Sequence, residues 1–149
     1  GEVLPLILEQ EPAVRLFVVG ADPPVQIRAL ASEHVEILGQ VPDVTPYLDG
    51  CRLSVAPLRY GAGVKGKVNQ SLAYGLPVVA TTPAVEGMFL VDGESVLVAD
   101  EPAAFAAAVL RLYRDAALWE RLSAGGLRVM ETHFGFAAAR RALVDLVGA

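Results

Sequence analysis

Short blocks of apolar, β-branched residues recur along the chain at a spacing that leaves room for one helix between each pair. Three of them, VRLFVVG (residues 14–20), HVEILG (34–39) and RLSVAP (52–57), are separated by stretches of helical character. This strand-helix-strand rhythm predicts a parallel sheet covered on both faces. The pattern continues with a helix over KGKVNQSLAYG (65–75), a strand in LPVVAT (76–81), one or two strands in FLVDGESVLVAD (89–100) and a helical tail.

Helix punctuation sharpens the reading. Residues 100–115, DEPAAFAAAVLRLYRD, offer Asp100 as a cap and Pro102 in the first turn, with Phe105, Val109 and Leu112 at helical spacing. Gly75 followed by Leu76-Pro77 ends the preceding helix, with a left-handed glycine and then a residue that cannot continue it. The tail from Ala116 is rich in alanine and leucine. It reads as two further helices, broken at Gly125-Gly126 and near Phe134-Gly135. The opening GEVLPLILEQEP (1–12) resembles the end of a helix with no strand before it. A doubly wound domain normally starts with a strand, so the chain is expected to be a piece of something longer.

Size and composition fit that picture. A chain of 149 residues, 54% hydrophobic and with mean hydropathy +0.46, is long enough for one domain with a real core. Apolar runs such as LFVV (16–19) and LPVVA (76–80) are a fraction of the roughly 18 residues that a membrane span requires, so no membrane contact is expected. Twelve Lys+Arg against 17 Asp+Glu give a net charge of −5, which offers no general attraction to nucleic acid. Any anion site must therefore be local. The single cysteine, Cys51, fits a reducing, cytoplasmic setting and reads as a small residue between a helix and a strand.

The candidate chemistry lies in residues 59–81, RYGAGVKGKVNQSLAYGLPVVAT. Gly61 and Gly63 follow the third strand-like run, at the carboxyl end of a parallel strand, where doubly wound sheets bind ligands. Glycines there let the backbone approach a ligand, and the N-terminus of the next helix offers unpaired N–H groups to a phosphate. Lys65 and Lys67 add two cations in the same turn of a chain with few lysines. Lys67, Gln70 and Tyr74 fall on one helical face, while Val68 and Leu72 fall on the face that packs on the sheet. The plain alternative is a glycine turn with two solvated lysines.

Gly61 and Gly66-Lys67 also match G-x-x-x-x-G-K, the spacing of a P-loop, and FLVD (89–92) imitates the apolar strand ending in an Asp that would hold Mg²⁺. Against an NTPase, the next residue is Val68, which has no hydroxyl for the metal, and three strand-like runs precede the loop rather than one.

Residues 61–87, GAGVKGKVNQSLAYGLPVVATTPAVEG, resemble the signature region of the group 1 (family 4) retaining glycosyltransferases, in their C-terminal, nucleotide-sugar-binding half. The order of the remaining segments follows the same family over nearly the whole chain. The resemblance implies a three-layer α/β, Rossmann-like domain with a parallel sheet, the C-terminal half of a GT-B enzyme. Residues 1–149 would form that single domain, and a separate acceptor-binding half would precede it. The donor would be a nucleoside-diphosphate sugar, with no further cofactor and no essential metal. By position, the backbone of Gly61, Ala62, Gly63 and Val64 would approach the sugar and diphosphate, and Lys65 would lie near the phosphates. The turn containing Gly39, Gln40 and Val41 would line the base pocket, and the loop with Glu86 and Gly87 would border the sugar.

Family members often carry two glutamates eight positions apart, the second bonding the ribose hydroxyls; here those positions hold Ala62 and Gln70. Gln70 keeps ribose recognition in a neutral form, since an amide both donates and accepts. Two functional classes therefore stand side by side. One is the donor domain of a hexosyltransferase, inactive without its other half; the second is a non-catalytic relative that keeps the fold as a nucleotide-binding module. His34 and His133 lie outside any metal-ligand spacing and read as surface residues, whereas Tyr113 and Trp119 read as core. Asp43 with Thr45-Pro46 reads as a helix start.

Overall fold

The computed structural model describes residues 2–61, 63–136, 138, 140 and 144. Five short strands alternate with helices in the predicted order: α1 Val3–Leu8, β1 Leu16–Val19, α2 Val25–Arg28, β2 Val35–Gly39, α3 Thr45–Gly50, β3 Ser54–Ala56, α4 Gly66–Ala73, β4 Val78–Ala80, α5 Thr82–Val85, β5 Leu97–Val98, α6 Pro102–Arg114 and α7 Ala116–Val129. A π-helical turn, Met130–Phe134, extends α7. All strand pairings named here are parallel, but the sheet comes in two pieces, β1-β2 and β3-β4-β5.

Alternation along β4 divides the core. Val79 faces a cluster with Ile7, Leu97, Phe105, Val109, Leu112, Leu118 and Leu122, which come from α1, β5, α6 and α7. Val78 and Ala80 face the opposite cluster, with Val68 and Leu72 of α4, Ala84 of α5, Met88 and Met130. Successive strand residues point to opposite faces, so a three-residue strand suffices to nucleate two apolar layers. The helical pattern explains the outer layers: Phe105, Ala106, Val109, Leu110 and Leu112 form the buried stripe of α6.

Several local expectations are revised. Asp100 does not cap α6, whose N-cap is Glu101 without a side-chain bond; its carboxylate turns instead to Thr82. A cap that sequence reading missed is Asp115, which accepts from the Leu118 N–H at 2.9 Å and starts α7. The FLVD segment is not a strand. Phe89 takes φ +57°, and the Asp92 carboxylate accepts from the Val98 N–H, so the order in 89–100 reduces to β5 and a single bridge, Asp92 to Val96.

Gly125-Gly126 does not break the tail. Helix α7 continues through both residues, which lie between Leu122 of the first cluster and Met130 of the second. A Cβ on Gly125 would lie 1.9 Å from the Glu94 carbonyl oxygen, and one on Gly126 would lie 2.7 Å from Leu72 Cδ2. Close approach, not chain reversal, is what these glycines serve. The part of the tail beyond Gly135 falls largely outside the described residues. Trp119 packs against the first cluster and donates to the Arg52 carbonyl at 2.6 Å, as a core residue with a polar tip.

Substitution of Gly125 tests this. Alanine gains about 1 kcal/mol of helix propensity, yet the neighbour it meets is backbone, which cannot turn aside. Gly125→Ala should therefore be destabilising by about 1–3 kcal/mol net. Gly126→Ala, which meets the end of a leucine side chain, should cost less. Denaturant unfolding of the two variants gives the ranking, and equal or reversed values would remove the backbone-contact explanation.

Candidate functional site

The carboxyl ends of β2, β3 and β4 lead into the loops that carry the candidate residues, and the ends of β1 and β5 lie beside them. After β3 the chain passes Arg59 and Tyr60 into the glycine loop, with Gly63 at φ +76°, a conformation that favours glycine, and enters α4 through Lys65 as N-cap. Ala62 lies outside the described residues. The first amides of α4, those of Gly66 and Lys67, have no carbonyl one turn back within the helix to bond, and the positive end of the helix dipole stands with them.

Both lysines are drawn onto this edge. Lys65 Nζ donates to the carbonyls of Gly63 at 2.6 Å and Gly61 at 3.2 Å, folding back over its own loop. Lys67 Nζ donates to the Val19 carbonyl at 2.9 Å, at the end of β1, and stands 3.1 Å from where a Cβ on Gly20 would be. Lys65 and Lys67 are the only lysines in the sequence. Lys65 ties the glycine loop to itself, and Lys67 links the start of α4 to the end of β1, across the gap between the two sheet pieces.

The same wall continues to the predicted base pocket. The Gly20 N–H donates to the Gly39 carbonyl at 2.8 Å, and Gly39, at φ +67°, leads into exposed Gln40 and half-buried Val41. Further down α4, the Tyr74 hydroxyl meets Thr45 Oγ1 at 3.2 Å. Lys67 and Tyr74 thus both reach toward the β1-β2 side, and exposed Gln70 lies on the helix face between them. Through Val19 and Gly20 the geometry connects Gly39 with Lys67, which are distant in sequence, and Gln70 lies one helical turn beyond Lys67 on α4. Asp43 starts α3 by accepting from the Thr45 N–H, a bond that holds its carboxyl below the usual carboxylate range.

Glu86 and Gly87 stand one strand over, beyond α5, both exposed, with no bond to the lysines among the described residues. At the same edge is an open cleft of about 440 Å³ lined by Leu58, Arg59, Thr81, Thr82, Pro83 and Asp100, from the segments that follow β3, β4 and β5. Sequence reasoning passed over this cleft. Its signal was available: Thr81-Thr82 and Asp100 are polar residues directly after the apolar runs of β4 and β5, at the ligand-binding edge. Thr81 Oγ1 donates to the Leu58 carbonyl at 2.6 Å and so fixes the loop after β3. Asp100 accepts from both the N–H and the hydroxyl of Thr82 at 2.7 Å, which holds its carboxyl below the ordinary range.

Cys51 ends α3 just before β3, where partial burial pushes its thiol up, away from the nucleophilic thiolate. Among the described residues no group of three or more His, Cys, Asp or Glu could hold a metal ion, and no helix is long and apolar enough to cross a membrane.

A parallel α/β domain with its glycine loop, lysines and helix N-terminus gathered on the carboxyl edge is a Rossmann-like domain. The chain belongs to the glycosyl transferases group 1, whose family model matches residues 1–115. The fold is that of GT-B glycosyltransferases, and the chain corresponds to a C-terminal-like part of them. It aligns with WaaG, a glycosyltransferase involved in lipopolysaccharide biosynthesis, at TM-score 0.75 and 18% identity, covering 99% of this chain and 42% of WaaG. The C-terminal domain of LpcC from Francisella tularensis, a glycosyl transferase group 1 family protein, gives TM-score 0.76 and 15% identity over 91% of this chain and 77% of that one. Anabaena HepE, solved with UDP and glucose, gives TM-score 0.75 and 16% identity over 99% of this chain and 44% of its own; it was also solved with UDP-glucose. The chain thus spans less than half the length of WaaG and HepE. No curated protein matches it by sequence. Family membership removes the NTPase reading.

The Asp100 clamp has a pH signature. A carboxyl whose native pKa is depressed contributes stability above its unfolded value, about 3.9 for Asp, and loses it as pH falls through the lower native value. Wild type should therefore be more stable than Asp100→Asn at neutral pH, with the difference closing below about pH 4. Urea unfolding at stepped pH follows it; a pH-independent difference would mean that the carboxylate's charge plays no part in the clamp.

Proposed function

We propose that the chain is the single donor-binding domain of a longer retaining glycosyltransferase that takes a nucleoside-diphosphate sugar and passes its hexosyl group to an acceptor held by a second, N-terminal half. The observation that carries this reading is the continuous wall from Gly39 through Gly20 and Lys67 to the glycine loop, with Gln70 exposed along it. In this reading Gly39, Gln40 and Val41 line the base, Gln70 holds the ribose, and Lys65, Lys67 and the first amides of α4 take the diphosphate. The backbone of Gly61, Ala62, Gly63 and Val64 approaches the sugar, which Glu86 and Gly87 border. The donor is a substrate, and the reading calls for no cofactor or metal.

The chemistry follows from charge. As the glycosidic bond breaks, negative charge builds on the leaving diphosphate, and preorganised N–H groups and ammonium groups aimed at it lower the barrier. Retention follows if the leaving phosphate assists the acceptor hydroxyl on the same face of the sugar, which requires no general base from this domain. Alone, the domain should bind donor weakly and transfer nothing, because acceptor contacts and cleft closure come from the other half. A cytoplasmic location belongs to the same reading. A second reading, a non-catalytic nucleotide-binding relative, draws support from Ala62 and Gln70, which stand where family members often carry glutamates.

Calorimetric titration with UDP-, GDP- and ADP-glucose, with and without EDTA, measures donor binding directly. Lys65→Met and Lys67→Met should each weaken it. Bonds from ammonium to phosphate contribute about 1.5–3 kcal/mol, and the lower end applies because each lysine gives up a carbonyl on binding. The loss should shrink at high salt. Unchanged affinities in both variants would move the phosphate site off this helix.

Gln70 separates ribose recognition from a plain helix surface. Gln70→Ala should cost about 1 kcal/mol, the net value of a neutral hydrogen bond, and Gln70→Glu should bind at least as well as wild type, since a carboxylate accepts from both vicinal hydroxyls. The contrast between ribose and 2′,3′-dideoxyribose forms of one nucleotide isolates the contact. A wild-type protein blind to that contrast would favour the non-catalytic reading.

A further inference from the structure

The region after α5 holds three unfavourable features at a single contact. Phe89 sits at φ +57°, which an L residue with a full side chain rarely adopts. The residue is 61% exposed, so burial does little to offset the strain. The tail presents a π-helical turn, Met130–Phe134, a geometry that is rare and frequent at functional sites. The two meet ring to ring: His133 stacks on Phe89 with centroids 4.1 Å apart and planes 5° from parallel, and Phe134 meets it edge-on at 6.3 Å. The widened turn lets successive residues 133 and 134 reach one ring, and Gly135 ends it where a Cβ would lie 2.7 Å from the Glu131 carbonyl oxygen.

What the contact holds is the stretch containing Glu86 and Gly87. Upstream, Thr82 is clamped by Asp100, the Glu86 N–H donates back to the Thr82 carbonyl at 3.2 Å, and Ala84 is fully buried. Met88 is fully buried too, yet Gly87 at φ +75° and Phe89 at φ +57° flank it with left-handed backbone. Relaxation of Phe89 to an ordinary conformation would redirect the chain one residue from Met88 and three from Glu86. The stack opposes that relaxation.

We propose that His133 is a positioning residue, acting through the Phe89 ring to hold Glu86 and Gly87 against the donor sugar. This deepens the donor-domain reading and rests on it. His133 touches no reacting atom in this account; its part is to keep a strained loop in one geometry, so its loss affects recognition of the sugar and spares the nucleotide.

The test compares His133→Ala with His133→Phe, which keeps a stackable ring. In the whole chain, hydrogen exchange over residues 84–92 should speed up about fivefold or more in His133→Ala, while residues 61–70 stay as in wild type. Affinities for UDP, GDP and ADP are set against those for their glucose conjugates. His133→Ala should lose about tenfold on the conjugate of whichever base binds, as expected when one hydrogen bond to the sugar is lost, with the free nucleotide unchanged. His133→Phe should restore both readouts. Unaltered exchange over 84–92 in His133→Ala would overturn the proposal, as would faster exchange with an unchanged preference for the conjugate. If wild type binds no nucleotide at all, the donor reading itself fails; the exchange measurement then still reports whether His133 holds the loop.

Discussion

The structure depends on the burial of one three-residue strand. Val78, Val79 and Ala80 of β4 have no solvent exposure, and their alternating side chains supply the centre of both hydrophobic clusters. Parallel neighbours on either side, β3 and β5, satisfy the backbone of β4, as buried peptide groups require. Helices α6 and α7 with α1 can then cover one face, and α4 and α5 the other. A polar residue at Val78 or Val79 would open both the layer it faces and the ladder that aligns its neighbours.

That arrangement also sets where chemistry can occur. With three strands running in one direction, their carboxyl ends reach the same edge, and each passes into a polar segment there: the glycine loop after β3, Thr81-Thr82 after β4, Asp100 after β5. Two hydrogen-bonded ties stiffen the edge, Thr81 to the Leu58 carbonyl and Asp100 to Thr82. The gap between the sheet pieces is spanned by Lys67, whose ammonium bonds the end of β1. The same cation is thus a structural link in this state and a candidate phosphate contact, which makes the stability of the edge sensitive to what occupies it.

The tail is shaped by contact rather than by propensity. Helix α7 begins on one face of the sheet and delivers Met130 to the other, passing over the Glu94-Ser95 backbone and Leu72 at two glycines. Only after that crossing can the π-helical turn reach Phe89. A feature of the candidate site therefore hangs on residues more than forty positions away in sequence.

Most of the architecture was legible in the sequence, for a physical reason: period-2 and period-3.6 apolar patterns, glycine and proline punctuation and N-terminal helix position are local properties. They placed all five strands and helices α3, α4 and α6, the glycine loop with Lys65 and Lys67, and the face shared by Lys67, Gln70 and Tyr74. Two kinds of feature were not legible. One was partner choice, since Asp100 had an adjacent helix to cap and bonded instead to Thr82, 18 residues back, while FLVD had strand composition and became a strained loop. The other was close approach, since Gly125-Gly126 carries the same letters whether a helix ends or another chain segment passes within contact. Local sequence determines which conformations a segment can take at low cost. Which of them it takes is decided where segments distant in sequence compete for the same space and the same hydrogen bonds, and only the folded chain brings them together.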